Sequence, residues 1–525
     1  MSEAFVVGVD IGTQSTKALL CDSAGRIIAQ HSKGYRPDTP RPLWAEQWPA
    51  VWLDAVIECI AGCVESARAR HVGFSPSAVR ALCVSSLYGG SGIPVDERMQ
   101  PLHPCLIWMD RRANDEADAL KQSVDVERLY AVTGNGIDSY YGFTKMLWLR
   151  NHRAEIFRNT RYFVPPNAFV IHALTGELAV DRSSAGNIGG VYDFKAASWS
   201  AEMLDMLGIP AAMMPPRLVA STDTVGQLAQ SAAERTRLAP GTPVIAGGVD
   251  AAVATFAAGV TRTGQHVAMI GSSMCWGYIT RNVDARQGLV AMPYVFGNAG
   301  DAYVFGGAST AGAAVAWFRD HFCRDVAKVA TEASVDMHDV LDAEARDVPE
   351  GADGIVFLPY LMGERSPIWD GKASGAFAGL SLYHTRAHLY RAVLEGVAFA
   401  LRDNIEAGAR GAESLDEGLI VVGGAAHSDL WMQIIADVTR RRVLTIEQEV
   451  EAAMGAALLA AYGAGLVSVD DVRRGWVTLA PRATPSADAA AIYDETFGSY
   501  RALYPALRPT MHQLYDQRAA ATRDC

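Results

Sequence analysis

Several common signatures are missing from this chain, and each absence removes a class of function. Its eight cysteines (Cys21, Cys59, Cys63, Cys83, Cys105, Cys275, Cys323 and Cys525) include no Cys-x-x-Cys pair. That argues against a zinc framework or a disulfide scaffold and leaves reduced thiols of the cytosolic kind. No five Lys or Arg stand in a row, and 46 basic against 58 acidic residues give a formal charge of −12. A chain of this balance does not grip a polyphosphate backbone by bulk charge. Neither GxxxxGK[ST] nor a GxGxxG set between a first strand and helix occurs, so P-loop and Rossmann folds lose their sequence support. The opening MSEAFVVGVDIGTQS lacks the basic, apolar, small-residue pattern of a secretory signal. One apolar run, 452–469, has the length to span a bilayer, but its Ala and Gly content reads as a close-packed internal helix. The expectation is a soluble, cytoplasmic protein with neither membrane nor nucleic acid as partner.

What is present is an ordinary globular balance: 50% hydrophobic and 20% charged residues over 525 positions. This length suits two large α/β domains, or three of about 150 residues, and the composition excludes a disordered or collagenous chain. Glycine is enriched, at 48 residues, and its placement carries the argument. The first thirty residues read as strand (5–9), turn (12–16), strand (18–21), turn (22–25) and strand (27–30). Apolar spacing predicts an amphipathic helix over Pro49–Arg70, a strand over 79–87 and helices over 112–121 and 143–152. Near Val244 a strand runs into a small-residue segment. The second half then echoes the opening: strand His266–Ile270, turn 271–273, strand 275–279. The domain boundary is placed at Gly259, dividing 1–258 from 259–525. Helices over 312–320, 388–408 and Asp429–Thr439, with a strand over Gly418–Val422, follow.

Five glycine-bearing segments can carry chemistry. In Asp10-Ile-Gly-Thr-Gln-Ser-Thr-Lys17, a turn at Gly12 can aim backbone N–H groups into a nest for phosphate oxygens. Thr13, Gln14 and Ser15 add neutral donors and Lys17 a positive charge. Asp10, at the end of a buried strand, suits Mg²⁺ held partly through water and is costly to bury without a partner. An ordinary hairpin turn fits the same residues. Gly271-Ser-Ser273 is weak alone and gains weight as the echo of the first turn; two such turns can hold a nucleotide's phosphates from opposite sides. Asp250, after Gly247-Gly248, suits a general base, a helix N-cap, or both. Gly306-Gly-Ala-Ser-Thr-Ala-Gly312 and Val421-Val-Gly-Gly-Ala-Ala-His-Ser428 either offer bare backbone to an adenine or ribose or are tight strand-to-helix turns.

In this order the motifs resemble the FGGY family of carbohydrate kinases, within the superfamily that holds actin and the heat-shock chaperone ATPases. The resemblance runs from Val6 to about Leu466. It includes segments 107–112 (IWMDRR), 143–149 (FTKMLWL), 174–177 (LTGE), 317–320 (WFRD), 363–367 (GERSP), 375–380 (GAFAGL) and 423–431 (GGAAHSDLW). It implies two ribonuclease-H-like α/β domains flanking a central cleft, with ATP and Mg²⁺ as cofactors. By the same resemblance Asp10 is the metal-associated acid, and Thr13, Gln14, Ser15 and Lys17 form the first phosphate loop. Ser272 lies in the second loop, Gly312, Gly424 and Ser428 line the ATP pocket, and Asp250 is the catalytic base. Trp108 and Asp110, with Arg111 and Arg112 beside them, fall in the sugar-contacting segment.

Where xylulokinases carry Met-His-Gly, this chain reads Ser85-Ser-Leu-Tyr-Gly-Gly90. Tyr88 therefore offers a substrate a different donor and acceptor pattern. The Arg-Glu pair usual in glycerol kinases is also missing. The implied reaction is transfer of the γ-phosphoryl of MgATP to a sugar hydroxyl. A ketopentose such as xylulose comes first; another ketose such as ribulose, or a polyol such as erythritol or glycerol, follows. A switch ATPase of the actin or chaperone kind is the alternative from another class. The expected partner is a small sugar or polyol, with homodimerisation left open.

Overall fold

The structure, a computed structural model, describes residues 3–284, 288–446, 451–472 and 476–521. Its first sheet starts with β1 (Phe5–Ile11), β2 (Ser15–Asp22) and β3 (Ile27–Gly34). Val6, Val7, Val9 and Ile11 are all fully buried, because this sheet is covered on both faces and its strands read as near-continuous apolar runs. Helix α1 (Pro49–Arg70), with a proline in its first turn where no N–H is needed, covers one face through Trp52, Val56, Ile60 and Val64. Strands β4 (Val79–Ser86), β5 (Thr224–Gln227) and β6 (Pro243–Ile245) complete the sheet in the order β5-β6-β4-β1-β2-β3. Between them lies α2 (Gly142–His152), and α3 (Asp250–Ala257) follows β6.

The second sheet is built from β7 (His266–Ile270), β8 (Met274–Thr280), β9 (Val290–Pro293), β10 (Ala302–Gly306), β11 (Gly418–Val422), β12 (Arg442–Ile446) and β13 (Leu479–Ala483). Their order is β9-β10-β8-β7-β11-β12-β13. In each sheet three antiparallel strands continue into two parallel ones: β3-β2-β1-β4-β6 in the first, β10-β8-β7-β11-β12 in the second. This is the doubled ribonuclease-H-like pattern of the actin-like ATPase fold. The helices of the second half include α4 (Gly312–Phe322), α5 (Arg386–Ala409), α6 (Asp429–Thr439), α7 (Ala452–Gly463) and α8 (Ala487–Ala521).

Local differences from the sequence reading have local causes. The first strand runs on to Ile11 because Asp10 and Ile11 pair with Lys17 and Thr16, which shrinks the turn to 12–14. The helix expected from Arg112 begins at Asn114 because Asp110 holds both the N–H and the side chain of Arg112. The apolar run from Ala452 is an internal helix, but it ends at Gly463 and packs on the first sheet rather than the second. A Cβ on Gly8 of β1 would lie 2.2 Å from the Ala457 nitrogen, and one on Gly455 would lie 2.1 Å from the Val253 carbonyl of α3. Among the described residues no helix is long and apolar enough to cross a membrane. Seven cysteines are free thiols; Cys525 lies outside the described residues.

Candidate active site

The parallel strands of the first sheet end side by side and deliver two carboxylates. Asp10 stands near the end of β1, and Ser85 on β4 donates to its Oδ1 at 2.6 Å. After β6 the chain turns through Gly247, whose φ is +67° and whose Cβ would sit 2.1 Å from the Val84 carbonyl. Only glycine fits so close an approach, and it brings Asp250 to the first position of α3. The N-cap position is Val249, not Asp250, because the helix already begins at Asp250; among the described residues the Asp250 carboxylate caps no N–H of the next turn and accepts only from the adjacent Ala251 N–H, at 2.6 Å. The backbone just before it is fixed by a buried chain: Val249 N–H to Ser183 at 3.1 Å, then Ser183 to Asp181 at 2.5 Å.

The two carboxylates resist charging. Burial, reinforced by the charge of Asp10, pushes Asp250 up to about 8. Burial likewise pushes Asp10 to about 6, with the Ser85 bond opposing and Glu451 adding. A cation beside Asp10 would relieve that cost, since an opposite charge favours the ionised form. No group of three His, Cys, Asp or Glu able to hold a metal occurs among the described residues. Mg²⁺ commonly keeps several waters and takes phosphate oxygens as ligands, so a single carboxylate is compatible with it.

The first turn is tied down on several sides. The Tyr35 hydroxyl donates to the Gly12 carbonyl at 2.8 Å, and the Trp108 indole N–H donates to Thr13 Oγ1 at 3.0 Å. Gln14 and Ser15 are exposed. Lys17 is not a free cation: its Nζ lies 2.6 Å from Glu451, which precedes α7. The second turn, 271–273, is also exposed and sits on the start of α4. The Gly271 carbonyl accepts from Gly312 N–H at 2.8 Å, and the Ser272 carbonyl from Ala311 and Ala313 N–H at 2.9 and 3.0 Å. A Cβ on Gly312 would lie 2.6 Å from the Gly271 carbonyl. Gly423, at φ +94°, packs on Ile270, leaving Gly424 beside that turn with open space around it. Ser428 is spent locally: it caps α6 by accepting from Trp431 N–H at 3.0 Å and donates to Asp342 at 2.6 Å.

Between the halves stands an aromatic wall of which the sequence reading had named only Tyr88. The ring of Tyr140, buried, lies 5.0 Å from that of Tyr88 and 6.0 Å from that of Trp369 in the second half. Arg111, paired with Asp138, holds its guanidinium 5.9 Å from the Tyr140 ring. Burial raises the Tyr140 phenol, while Arg365 opposes and Asp250 adds. Burial also pushes the Cys275 thiol to about 11, with Arg365 and Asp250 again felt. The charges of Asp250 and Arg365 thus both reach Tyr140 and Cys275, while the Arg365 guanidinium itself is bonded to the Met274 and Ala308 carbonyls, each at 3.0 Å. Segment 363–367 entered the sequence reading only as part of the family resemblance, without a role, and the Tyr pair before α2 gave no signal.

Two of the expected sugar contacts change their meaning. The Tyr88 hydroxyl oxygen accepts from Gly142 N–H at 2.5 Å, so it already anchors the start of α2. Asp110 is corrected: it is buried, and its carboxylate accepts from Ala45 N–H at 2.6 Å and Arg112 N–H at 3.0 Å. The Arg112 guanidinium lies 2.7 Å from Asp110 and 2.6 Å from Glu46. The carboxylate that looked free for a sugar is saturated by protein donors, and it locks the loop that carries Trp108.

Comparison with known proteins agrees with this architecture. Residues 5–257 match the model of the N-terminal domain of the FGGY family of carbohydrate kinases, and residues 266–464 match that of its C-terminal domain. The xylulose kinase of Bacillus subtilis (strain 168) is 30% identical over 507 residues, covering 95% of this chain and 96% of that one. The gluconokinase of the same organism is 29% identical over 495 residues, 93% of each. The crystal structure of xylulose kinase from Rhodospirillum rubrum matches with a TM-score of 0.87 at 32% identity, over 97% of this chain and 100% of that one. The chain belongs to the FGGY family of carbohydrate kinases, enzymes that phosphorylate sugars with ATP.

Proposed function

We propose that this enzyme transfers the γ-phosphoryl group of ATP to a hydroxyl of a ketopentose such as xylulose, in the cytoplasm. The observation that carries the reaction is the Asp10–Asp250 pair. Asp250, held at the start of α3, is the carboxylate suited to accept the substrate hydroxyl's proton once a cation beside Asp10 offsets the burial and like charge that keep it protonated. Asp10 is the residue that would hold Mg²⁺. The bound ion supplies charge neutralisation for the phosphoryl oxygens. The turns at Thr13 and Ser272 hold phosphates from the two halves, and Gly312 and Gly424 admit the nucleotide without side-chain interference. The wall of Tyr88, Tyr140 and Trp369 encloses the sugar and limits water.

The ketopentose reading draws support from the xylulose kinases at 30% and 32% identity. A second reading, a sugar acid such as gluconate, draws support from the gluconokinase at 29% identity over 93% of each chain. The test is ADP production with xylulose, ribulose, erythritol, glycerol and gluconate, each against a no-sugar control. Stimulation by xylulose supports the first reading, and stimulation by gluconate alone replaces it with the second. ATP turnover indifferent to every carbohydrate would point to a switch ATPase instead.

A further inference from the structure

We propose that the last helix, α8, is a strut that sets the sugar-side wall of the cleft, with Asp370 as the positioning residue through which it acts. The identity of that wall rests on the kinase reading above. Helix α8 lies beyond the residues matched by the family models, which end at 464. Its own sequence does not favour a helix: Pro505 and Pro509 stand inside it, each removing an N–H at a cost of about 3 kcal/mol. Its first part is docked on α5, where the buried Tyr493 hydroxyl donates to Glu395 at 2.8 Å and accepts from Arg391 at 2.9 Å, and from Tyr500 onward its contacts follow a stripe at four-residue spacing.

Tyr500 shares a hydroxyl bond with Tyr360 at 2.9 Å. Tyr504 donates to Asp370 Oδ2 at 2.5 Å, His512 Nε2 lies 2.6 Å from the same oxygen, and Arg508 Nε lies 3.7 Å away. Asp516 accepts from Lys372 at 2.8 Å. Every one of these contacts falls on the segment 360–372, which carries Arg365 and Trp369. Asp370 is only 9% exposed, and three donors converge on one of its oxygens.

The segment transmits this grip. Glu364 N–H bonds to the Asp370 carbonyl at 2.8 Å, and Asp370 N–H to the Glu364 carbonyl at 3.0 Å. Arg365 and Trp369 therefore sit inside a loop closed at Asp370. Trp369 has a φ of +52°, a left-handed conformation that a bulky residue keeps only when its surroundings impose it. Its indole N–H donates to the Gly288 carbonyl at 2.5 Å, and its ring meets Tyr140, which senses the charge of Asp250. Asp370 thus lies one residue from the wall and is held from the side away from it.

The experiment is steady-state kinetics on the full chain, varying sugar and ATP separately, with the sugar identified by the ADP assay. Tyr504→Phe and His512→Ala are each expected to raise the sugar KM about tenfold while kcat and the ATP KM stay within about twofold. His512→Gln, which keeps a donor for Asp370, recovers most of the loss. In a Trp369→Ala background, His512→Ala has no further effect, because the strut then has nothing left to place. A sugar KM that stays within about twofold in both single variants overturns the proposal. So does a His512→Ala effect that persists undiminished in the Trp369→Ala background. Loss of sugar-stimulated turnover in the unmutated enzyme would instead overturn the kinase reading, and the strut's role with it.

Discussion

The hairpins that open the two halves have the same topology and opposite chemistry. The turn after β1 stands among charges: Asp10, Lys17, Glu451 and, across the sheet ends, Asp250. The turn after β7 is glycine and serine, seated by the N–H groups of Ala311, Gly312 and Ala313. A duplicated fold has kept its geometry in both copies and its acid–base chemistry in one. The charged copy gathers carboxylates that burial and like charge make costly to ionise, while the neutral copy presents backbone and small side chains with nothing to titrate.

The sharpest way to break this contrast is to neutralise the charged copy. Asp250→Asn should lower kcat by about three to four powers of ten with the ATP KM nearly unchanged; turnover within about tenfold of the parent enzyme would remove Asp250 as the base. Asp10→Asn should cost about a hundredfold and raise the Mg²⁺ concentration needed for half-maximal rate, read from a Mg²⁺ titration. The neutral copy should respond differently. Gly312→Val pushes a side chain against the Gly271 carbonyl and should raise the ATP KM about tenfold while leaving the sugar KM alone.

A smaller effect concerns stability, and its sign follows from the raised values. An aspartate at about 8 in the folded chain, against 3.8 ordinarily, keeps a proton that the unfolded chain gives up between these limits. The metal-free enzyme therefore loses stability as pH rises through that window. Asp250→Asn should raise the Tm of the metal-free protein at pH 8 by about 1–3 °C, and the gain should vanish near pH 4. Smallest of all, Ser428→Ala should remove about 1 kcal/mol of cap stability, seen in denaturant melts, with little change in the ATP KM.

The sequence made legible what local chemistry decides. Alternation and glycine turns placed both hairpins, and α1, β11 and α6 occur at the residues expected. Asp10 drew notice because an acid at the end of an apolar strand needs a reason, and the fold sets its charge against that of Asp250. The rest depends on partners far along the chain. Lys17, read as part of a phosphate loop, is ion-paired with Glu451, 434 residues away, a partner that no local pattern announces. Asp110 looked open to a sugar, yet it is closed off by Arg112 two residues on and by Ala45 N–H 65 residues back. Tyr140 and Trp369 meet only because the halves do.

The seat of α7 against Gly8 and Val253 has a mechanical consequence. Helix α7 comes from the C-terminal side of the chain yet closes backbone to backbone on β1 and α3, so any side chain at Gly8 or Gly455 would wedge the two parts of the chain apart rather than loosen one of them alone.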